Sequence, residues 1–584
     1  MKASDYIIRY LLENKIDKVF GYIGGMIAHI VDSIAINPEM EMINTLHEQG
    51  AGFAAEGYAR YSNKTGVAIA TSGPGATNLL TAVGSCYFDS VPTLFITGQV
   101  NTYEYKNDLP IRQRGFQETD IAAIAKPITK YSVMVSDAKN LRYELEKCLY
   151  LTQHGRKGPV LMDIPMNIQR ADLNIEEEKS FFDSDEHKKL QQEIKPDFDI
   201  SEVITLIKNA KRPVILAGGG IQISNAQAEL ETFLEKSQMP IVTSLMGLDC
   251  VNVYEHNMGL IGAYGNRYGN LTLANADLVL ALGTRLDSRQ TGTNTDLFLT
   301  NSKIIRVDID KYELEHSTIK AAASINSDAK SFLQRLNETE YDLTLDEWYK
   351  KLAEFKNKYP STIDIKKEIK NPNLFIEKLS EFLKDDDIIS VDVGQHQMWA
   401  AQSLNLKSSQ RVFFSGGMGS MGFSLPAGIG ATIASGKRSI IVTGDGGLQM
   451  NIQELELLKR RNLPIKIIVM NNSCLGMVRQ FQELYFESRC LCTVEDYSAP
   501  DFSGIAKAYG VNGYKTDINK NWQEALKGFL ADDKPGLLDV YFNRKTDVEP
   551  KLIVNQPIEN MFPYLPAEEL KENMIATKLE KTNG

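Results

Sequence analysis

The sequence predicts an α/β protein made of three doubly wound parallel-sheet domains, and three observations predict it. The 584 residues exceed the roughly 250–300 at which one hydrophobic core stops growing, so several domains are expected. Short β-branched apolar runs bounded by Gly, Pro or Ser alternate with segments of helical period, the pattern of parallel strands buried on both faces. Two charged stretches, Asn174 to Pro196 and Glu338 to Pro372, interrupt that alternation and read as linkers or peripheral helices. They divide the chain into residues 1–175, 195–337 and 370–550, with a tail over 551–584.

In the first unit the predicted strands include Val67–Thr71, Thr93–Thr97 and Val160–Ile164; in the middle unit they include Val214–Ala217 and Leu278–Leu282. The third unit carries Ile388–Val391, Ile440–Thr443, Ile467–Met470 and Leu537–Tyr541. With 43% hydrophobic and 24% charged residues the composition is globular, which excludes a disordered or fibrous chain. A net charge of −11 without a dense Lys/Arg block argues against nucleic acid as a partner. The six cysteines contain one close pair, Cys490 and Cys492, and no second pair to complete a zinc site, so reduced thiols are expected. No stretch approaches the ~18–20 apolar residues of a bilayer span, and the amino terminus lacks a secretory apolar region, so no membrane contact and a cytoplasmic location are expected.

The sharpest motif lies in the third unit. A strand ending at Thr443 runs into Gly444-Asp445-Gly446-Gly447, a helical-period segment follows with Ile452, Leu455 and Leu458, and the next strand ends in Asn471-Asn472. Strand, tight turn, helix and strand return Asn472 to the sheet edge that carries Asp445. An aspartate and an asparagine amide oxygen there are hard ligands suited to Mg²⁺, and the adjacent glycines let a diphosphate approach backbone N–H groups. In the first unit, Glu48 sits where the strand Met42–Leu46 passes into a helix whose apolar face holds Ala51, Ala54, Ala55 and Tyr58.

The Gly-Asp-Gly and Asn-Asn pair resembles the thiamine diphosphate (ThDP) motif, and Glu48 matches the glutamate that such enzymes use to activate the coenzyme's aminopyrimidine. From about Ser4 to Pro566 the chain is similar to the acetolactate synthase (acetohydroxyacid synthase) large-subunit family. The resemblance rests on Thr71–Asn78, Phe116-Gln117-Glu118, Gly394–Ala401, Gly419–Phe423 and Leu475–Gln480. It implies that the three domains bind the pyrimidine, a flavin and the diphosphate in turn. Catalytic roles then fall to Glu48, Gln117, Phe116 and Gly24, with ThDP held by Gly25, Pro74, Asn78, Gly394, Gln395, His396, Gln397, Gly419, Met421, Gly446, Gly447 and Met477. Mg²⁺ goes to Asp445, Asn472 and the backbone carbonyl of Cys474, and Met421 props the bent coenzyme. In the middle unit the resemblance implies structural FAD on Arg156, Gly218, Gly219, Gly220, Arg285, Asp308 and Asp328.

The implied activity is decarboxylation of pyruvate and transfer of its two-carbon unit to a second carbonyl, with 2-acetolactate as the product when pyruvate is also the acceptor. The implied assembly is a homodimer or homotetramer with a small regulatory subunit. Around the substrate channel the chain departs from the family: Phe481 replaces a tryptophan, Met166 a lysine, and Ala263-Tyr264 a Met-His pair. Ile23-Gly24-Gly25-Met26 replaces Pro-Gly-Gly-Ala, and the loop from Val100 to Phe116 is longer, with Arg112 and Arg114 placed to meet a phosphate-bearing substrate. Transfer onto a keto-sugar nucleotide is therefore an alternative, as is simple decarboxylation to an aldehyde. A catalytically silent regulatory paralogue is disfavoured because Glu48, Asp445 and Asn472 are all present.

Overall fold

The computed structural model describes residues 1–192, 198–363 and 369–575. The expected start of the middle unit at 195 and tail positions 576–584 lie outside them. The described chain forms three six-stranded sheets in which every neighbouring pair of strands is parallel, as the unbroken apolar runs require. Edge to edge, the first sheet runs Glu41–Asn44, Lys18–Gly21, Gly66–Ala70, Thr93–Gln99, Pro159–Pro165 and Tyr131–Met134. The third repeats that order with Arg411–Phe414, Ile388–Val391, Ser439–Gly444, Ile465–Asn471, Gly536–Tyr541 and Asn512–Asp517. The middle sheet runs Ala323–Asn326, Lys303–Asp308, Leu278–Leu282, Pro213–Ala217, Ile241–Thr243 and Asn257–Leu260, the order of dinucleotide-binding sheets. In each sheet the order reverses between two inner strands, and the loops leaving their carboxyl ends splay apart into a crevice.

The first and third domains share one core. Helix Glu48–Ser62 is built from small and apolar residues, capped by His47 and stopped by Asn63 in the left-handed region, and it lies along helix Ser424–Ser435. A Cβ at Gly57 would overlap the Ala427 carbonyl, and one at Gly430 the Ala54 carbonyl, so glycine is what lets the two backbones touch. Ala51, Ala54 and Ala55 bury against Ala427 and Ala431, and the ring of Phe53 meets Phe423 edge-on at 5.6 Å.

The charged stretches carry the short helix Asp185–Gln192 and the helix Asp346–Lys358, which buries Trp348, Leu352 and Phe355 in the core of the middle domain. Beyond residue 550 the chain returns to that domain. Strand Lys551–Leu552 pairs with Met561–Phe562, and the Leu552 N–H donates to the Ala263 carbonyl at 2.7 Å. No helix among the described residues is long and apolar enough to cross a membrane.

Candidate active site

In the third domain the parallel register Gly444↔Met470 brings Asp445 and Asn472 out at the same end of neighbouring strands. Asp445 opens the helix Asp445–Met450 and is buried, which pushes its carboxyl up to about 6; the Tyr497 hydroxyl donates to Oδ2 at 3.0 Å. The Asn472 Nδ2 donates to Gln395 Oε1 at 2.9 Å, which fixes the amide and turns its Oδ1 away from Gln395. Gln395 is itself held by donation to the Thr546 carbonyl and to Gln480. Among the described residues no three His, Cys, Asp or Glu side chains converge as a metal cluster, so a cation here would take one carboxylate, one amide oxygen and backbone or solvent oxygens. Cys474 is buried in the loop after Asn472, which turns at Ser473 in the left-handed region.

Glycines let the loops around this pair pack closely. A Cβ at Gly447 would stand 2.7 Å from Asp392 Oδ1, and one at Gly446 would stand 2.6 Å from Leu475 and 3.2 Å from the Met421 methyl. His396 lies under Gly394 and Gly444; burial pushes its pKa down to about 3, so the ring is neutral, and its Nε2 is buried without a partner. Gln397 donates to the Ser415 carbonyl, Gly419 adopts a positive φ with open space at its Cβ, and Met477 lies half-buried in helix Gly476–Tyr485.

In the first domain Glu48 begins its helix and is only 8% exposed. Its Oε2 accepts from Asn78 Nδ2 at 3.0 Å, and a Cβ at Gly75 would stand 3.1 Å from Oε1, so Asn78 and Gly75 locate the carboxylate. Pro74 is the first residue of the helix Pro74–Asn78. Gly73 turns with φ +63° against Gln117, Gly24 packs on Thr71, and Gly25 faces open space. Phe116 is 78% exposed.

At the switch point of the middle sheet, a cavity of about 410 Å³ opens between the three domains. Gly219, Gly220, Arg285, Asp308 and Asp328 line it, and Arg156 reaches it from the first domain. Gly218 lies behind the wall, where a Cβ would overlap the Gly283 carbonyl. The Arg156 guanidinium is bound to Asp310 and Glu313 across the domain boundary. Burial raises the Asp308 carboxyl above its ordinary range.

Comparison with known proteins agrees with this three-part plan. Residues 1–124 match the model for the thiamine pyrophosphate enzyme N-terminal TPP binding domain, residues 200–336 that for the central domain, and residues 392–540 that for the C-terminal TPP binding domain. The acetolactate synthase large subunit of Lactococcus lactis subsp. lactis is 37% identical over 94% of each chain. The Escherichia coli isozyme 2 large subunit is 34% identical over 98% of this chain and 99% of its own, and the chloroplastic acetolactate synthase of Arabidopsis thaliana 34% over 94% and 83%. The chain belongs to the acetolactate synthase large-subunit family.

Within this family's plan the residues expected around a substrate channel are spread widely. Arg112 and Arg114 stand exposed on the loop after Val100, whose backbone is gathered by Glu118: its carboxylate accepts from the N–H groups of Lys106, Arg114 and Gly115. Met166 starts a short helix at the end of strand Pro159–Pro165 in the first domain, whereas Phe481 is 44% exposed on helix Gly476–Tyr485 in the third. Sequence reasoning missed Asp392, Tyr497 and Glu454. Asp392 accepts from the N–H groups of Val393, Gly422 and Ser424 and from the Ser424 hydroxyl, which folds the loop bearing Gly419 and Met421. Glu454 Oε1 accepts from the Leu46 N–H at 3.0 Å, two residues before Glu48, while Oε2 is buried without a partner. Asp392 directly follows strand Ile388–Val391 and stands two residues before a glycine, a signal that was legible; Glu454 and Tyr497 carry none.

Proposed function

We propose that the chain is a Mg²⁺- and ThDP-dependent carboligase that decarboxylates pyruvate and joins the remaining two-carbon unit to a second carbonyl. With pyruvate as acceptor the products are 2-acetolactate and CO₂. The observation that carries this reading is Glu48: a buried carboxylate at a helix start, one oxygen held by Asn78 and the other beside the space that Gly75 leaves. The residues present fit the coenzyme, because Gly446 and Gly447 lie in the first turn of helix Asp445–Met450, whose N–H groups have no intrahelical partner, and the Nε2 of His396 is buried nearby without one, a polar cradle that a bound ligand would satisfy. Bound ThDP supplies a carbon nucleophile and an electron sink for decarboxylation.

The chain's own groups do the rest. Asp445, Asn472 and the Cys474 carbonyl hold Mg²⁺, and Gln395 keeps the Asn472 oxygen turned to the metal. Glu48 holds a proton on the aminopyrimidine ring nitrogen, and Asn78 keeps that carboxylate in place. Gln117, Gly24, Gly25 and Phe116 border the reacting carbon, Pro74 shapes the loop beside it, and Gln397, Gly419, Met421 and Met477 line the coenzyme. The apolar rims of the two domains support a homodimer. Ile23 and Phe116 are 56% and 78% exposed on the first, Met450 and Val478 54% and 51% on the third, and their meeting across a two-fold axis sets Glu48 of one protomer beside coenzyme held by the other. Two such dimers make the tetramer, and the relatives named as large subunits support a smaller regulatory partner. The cavity of the middle domain supports FAD as a structural group, the net reaction needing no redox step.

Incubation with ThDP, Mg²⁺ and pyruvate, followed by mass spectrometry of the products, tests the reading. Acetolactate is expected, and acetaldehyde as the sole product would replace carboligation by simple decarboxylation. A flavin absorbance band in the purified protein would register flavin. Exposed Arg112 and Arg114 favour a second reading, transfer onto a keto-sugar nucleotide, which the same assay reads when that acceptor is added.

A further inference from the structure

One cation beside this site is held in an unusual way. The Lys551 ammonium stands 5.8 Å from the ring centres of Tyr264 and Phe481 and 5.7 Å from that of Tyr485, and the residue is only 6% exposed. Among the described residues it makes no hydrogen bond and no ion pair. Its neighbour Asp547 is already bonded to Arg479 at 2.7 Å. Ring faces offset part of the cost of burying a positive charge, but they accept none of the three N–H bonds that an ammonium can donate. Asp547 acts on this ammonium only from a distance, so the cation lacks an anionic partner within hydrogen-bonding reach.

The position says what the partner is. Phe481 and Tyr485 ride on the helix that begins four residues after Asn472, and Tyr264 lines the cavity between the domains. Lys551 is carried to their meeting point by the pairing of Lys551–Leu552 with Met561–Phe562 and by the Leu552 bond to Ala263. Phe481 and Tyr264 are also positions at which the chain departs from the family pattern, so the cage is a feature of this chain's substrate channel.

We propose that Lys551 is a specificity residue that receives the anionic group of the acceptor, the molecule whose carbonyl takes the two-carbon unit. The proposal rests on the carboligase reading and adds the residue that meets the acceptor's anionic group. A carboxylate on a 2-oxoacid and a phosphate on a sugar nucleotide share that chemistry, and separate arms of the test distinguish them.

The test is a competition. Protein loaded with ThDP and Mg²⁺ receives pyruvate as donor, an anionic acceptor (2-oxobutyrate in one arm, a UDP-linked 4-ketohexose in the other) and neutral benzaldehyde. The ratio of the two products cancels the shared donor step. Lys551→Met keeps the stem and removes the charge; it is expected to lower the anionic-to-neutral ratio about tenfold or more in at least one arm, with Lys551→Arg restoring most of it. The arm that responds names the anion. An unchanged ratio in both arms overturns the proposal and leaves Lys551 a packing cation. If the wild-type protein forms no carboligation product, the carboligase reading fails separately. Calorimetric binding of oxamate, weaker to Lys551→Met than to wild type, then supports an anion site, and equal binding overturns it.

Discussion

The first and third domains have the same strand order, yet the crevices at their switch points are furnished differently. In the third, two neighbouring strand ends deliver Asp445 and Asn472, and glycines clear the backbone around a buried, unpartnered imidazole. In the first, the corresponding loops deliver the buried carboxylate of Glu48 and an exposed rim that includes Phe116, with a second buried carboxylate, Glu118, spent on folding its own loop. The comparison teaches that topology places a crevice and side chains decide its chemistry. On the proposed reading, one copy of the sheet holds a charged ligand and the other moves a proton on it.

The largest effects should come from breaking each half separately. Asp445→Ala and Glu48→Gln are both expected to lose turnover, the second by about 10²–10⁴-fold as for a lost proton-transfer group. They should part in a thermal-shift titration with ThDP and Mg²⁺: Glu48→Gln keeps the ligand-dependent rise in Tm, and Asp445→Ala loses it. Equal rises in both variants would show that the third domain does not hold the ligand through Asp445.

A smaller effect should follow from parting the two domains while leaving the chemistry intact. Gly430→Ala places a methyl against the Ala54 carbonyl where the helices touch, and overpacking of this kind costs roughly 1–3 kcal/mol. Urea unfolding should show that loss, and a variant as stable as wild type would mean that the helices slide apart at no cost.

The furnishing of the third crevice was legible in the sequence because it is local. Asp445 and Asn472 lie one strand–helix–strand unit apart, and the apolar runs announce the strands that carry them. The middle glycines were legible as a group but not singly, because Gly218 serves the packing of Gly283 rather than the cavity. What stayed hidden depends on pairings distant along the chain. Lys551 meets rings from two other segments, and the contact of Glu454 with Leu46 spans 408 positions. No periodicity or spacing encodes such a contact; the shared core that brings the two domains together does.

Glu454 sharpens the comparison, since it is the point at which the third domain grips the junction that carries Glu48. Burial, which outweighs the backbone N–H donors and the nearby Arg460 cation, pushes its carboxyl up to about 7, so it is protonated in weakly acid solution, with Oε1 still accepting from the Leu46 N–H. The folded state therefore holds a proton that the unfolded chain, with an ordinary carboxyl near 4.3, has already released. Stability from this group is complete below the unfolded value and drains away as the pH climbs through 7. Between pH 6 and pH 8 the loss is about 1.4 kcal/mol. Glu454→Gln keeps the acceptor oxygen and removes the titration, so its urea midpoint should fall less than that of wild type over the same interval. Parallel decline in the two proteins would mean that the carboxylate is paid for by a partner elsewhere, and that the grip on the Glu48 junction does not depend on a proton.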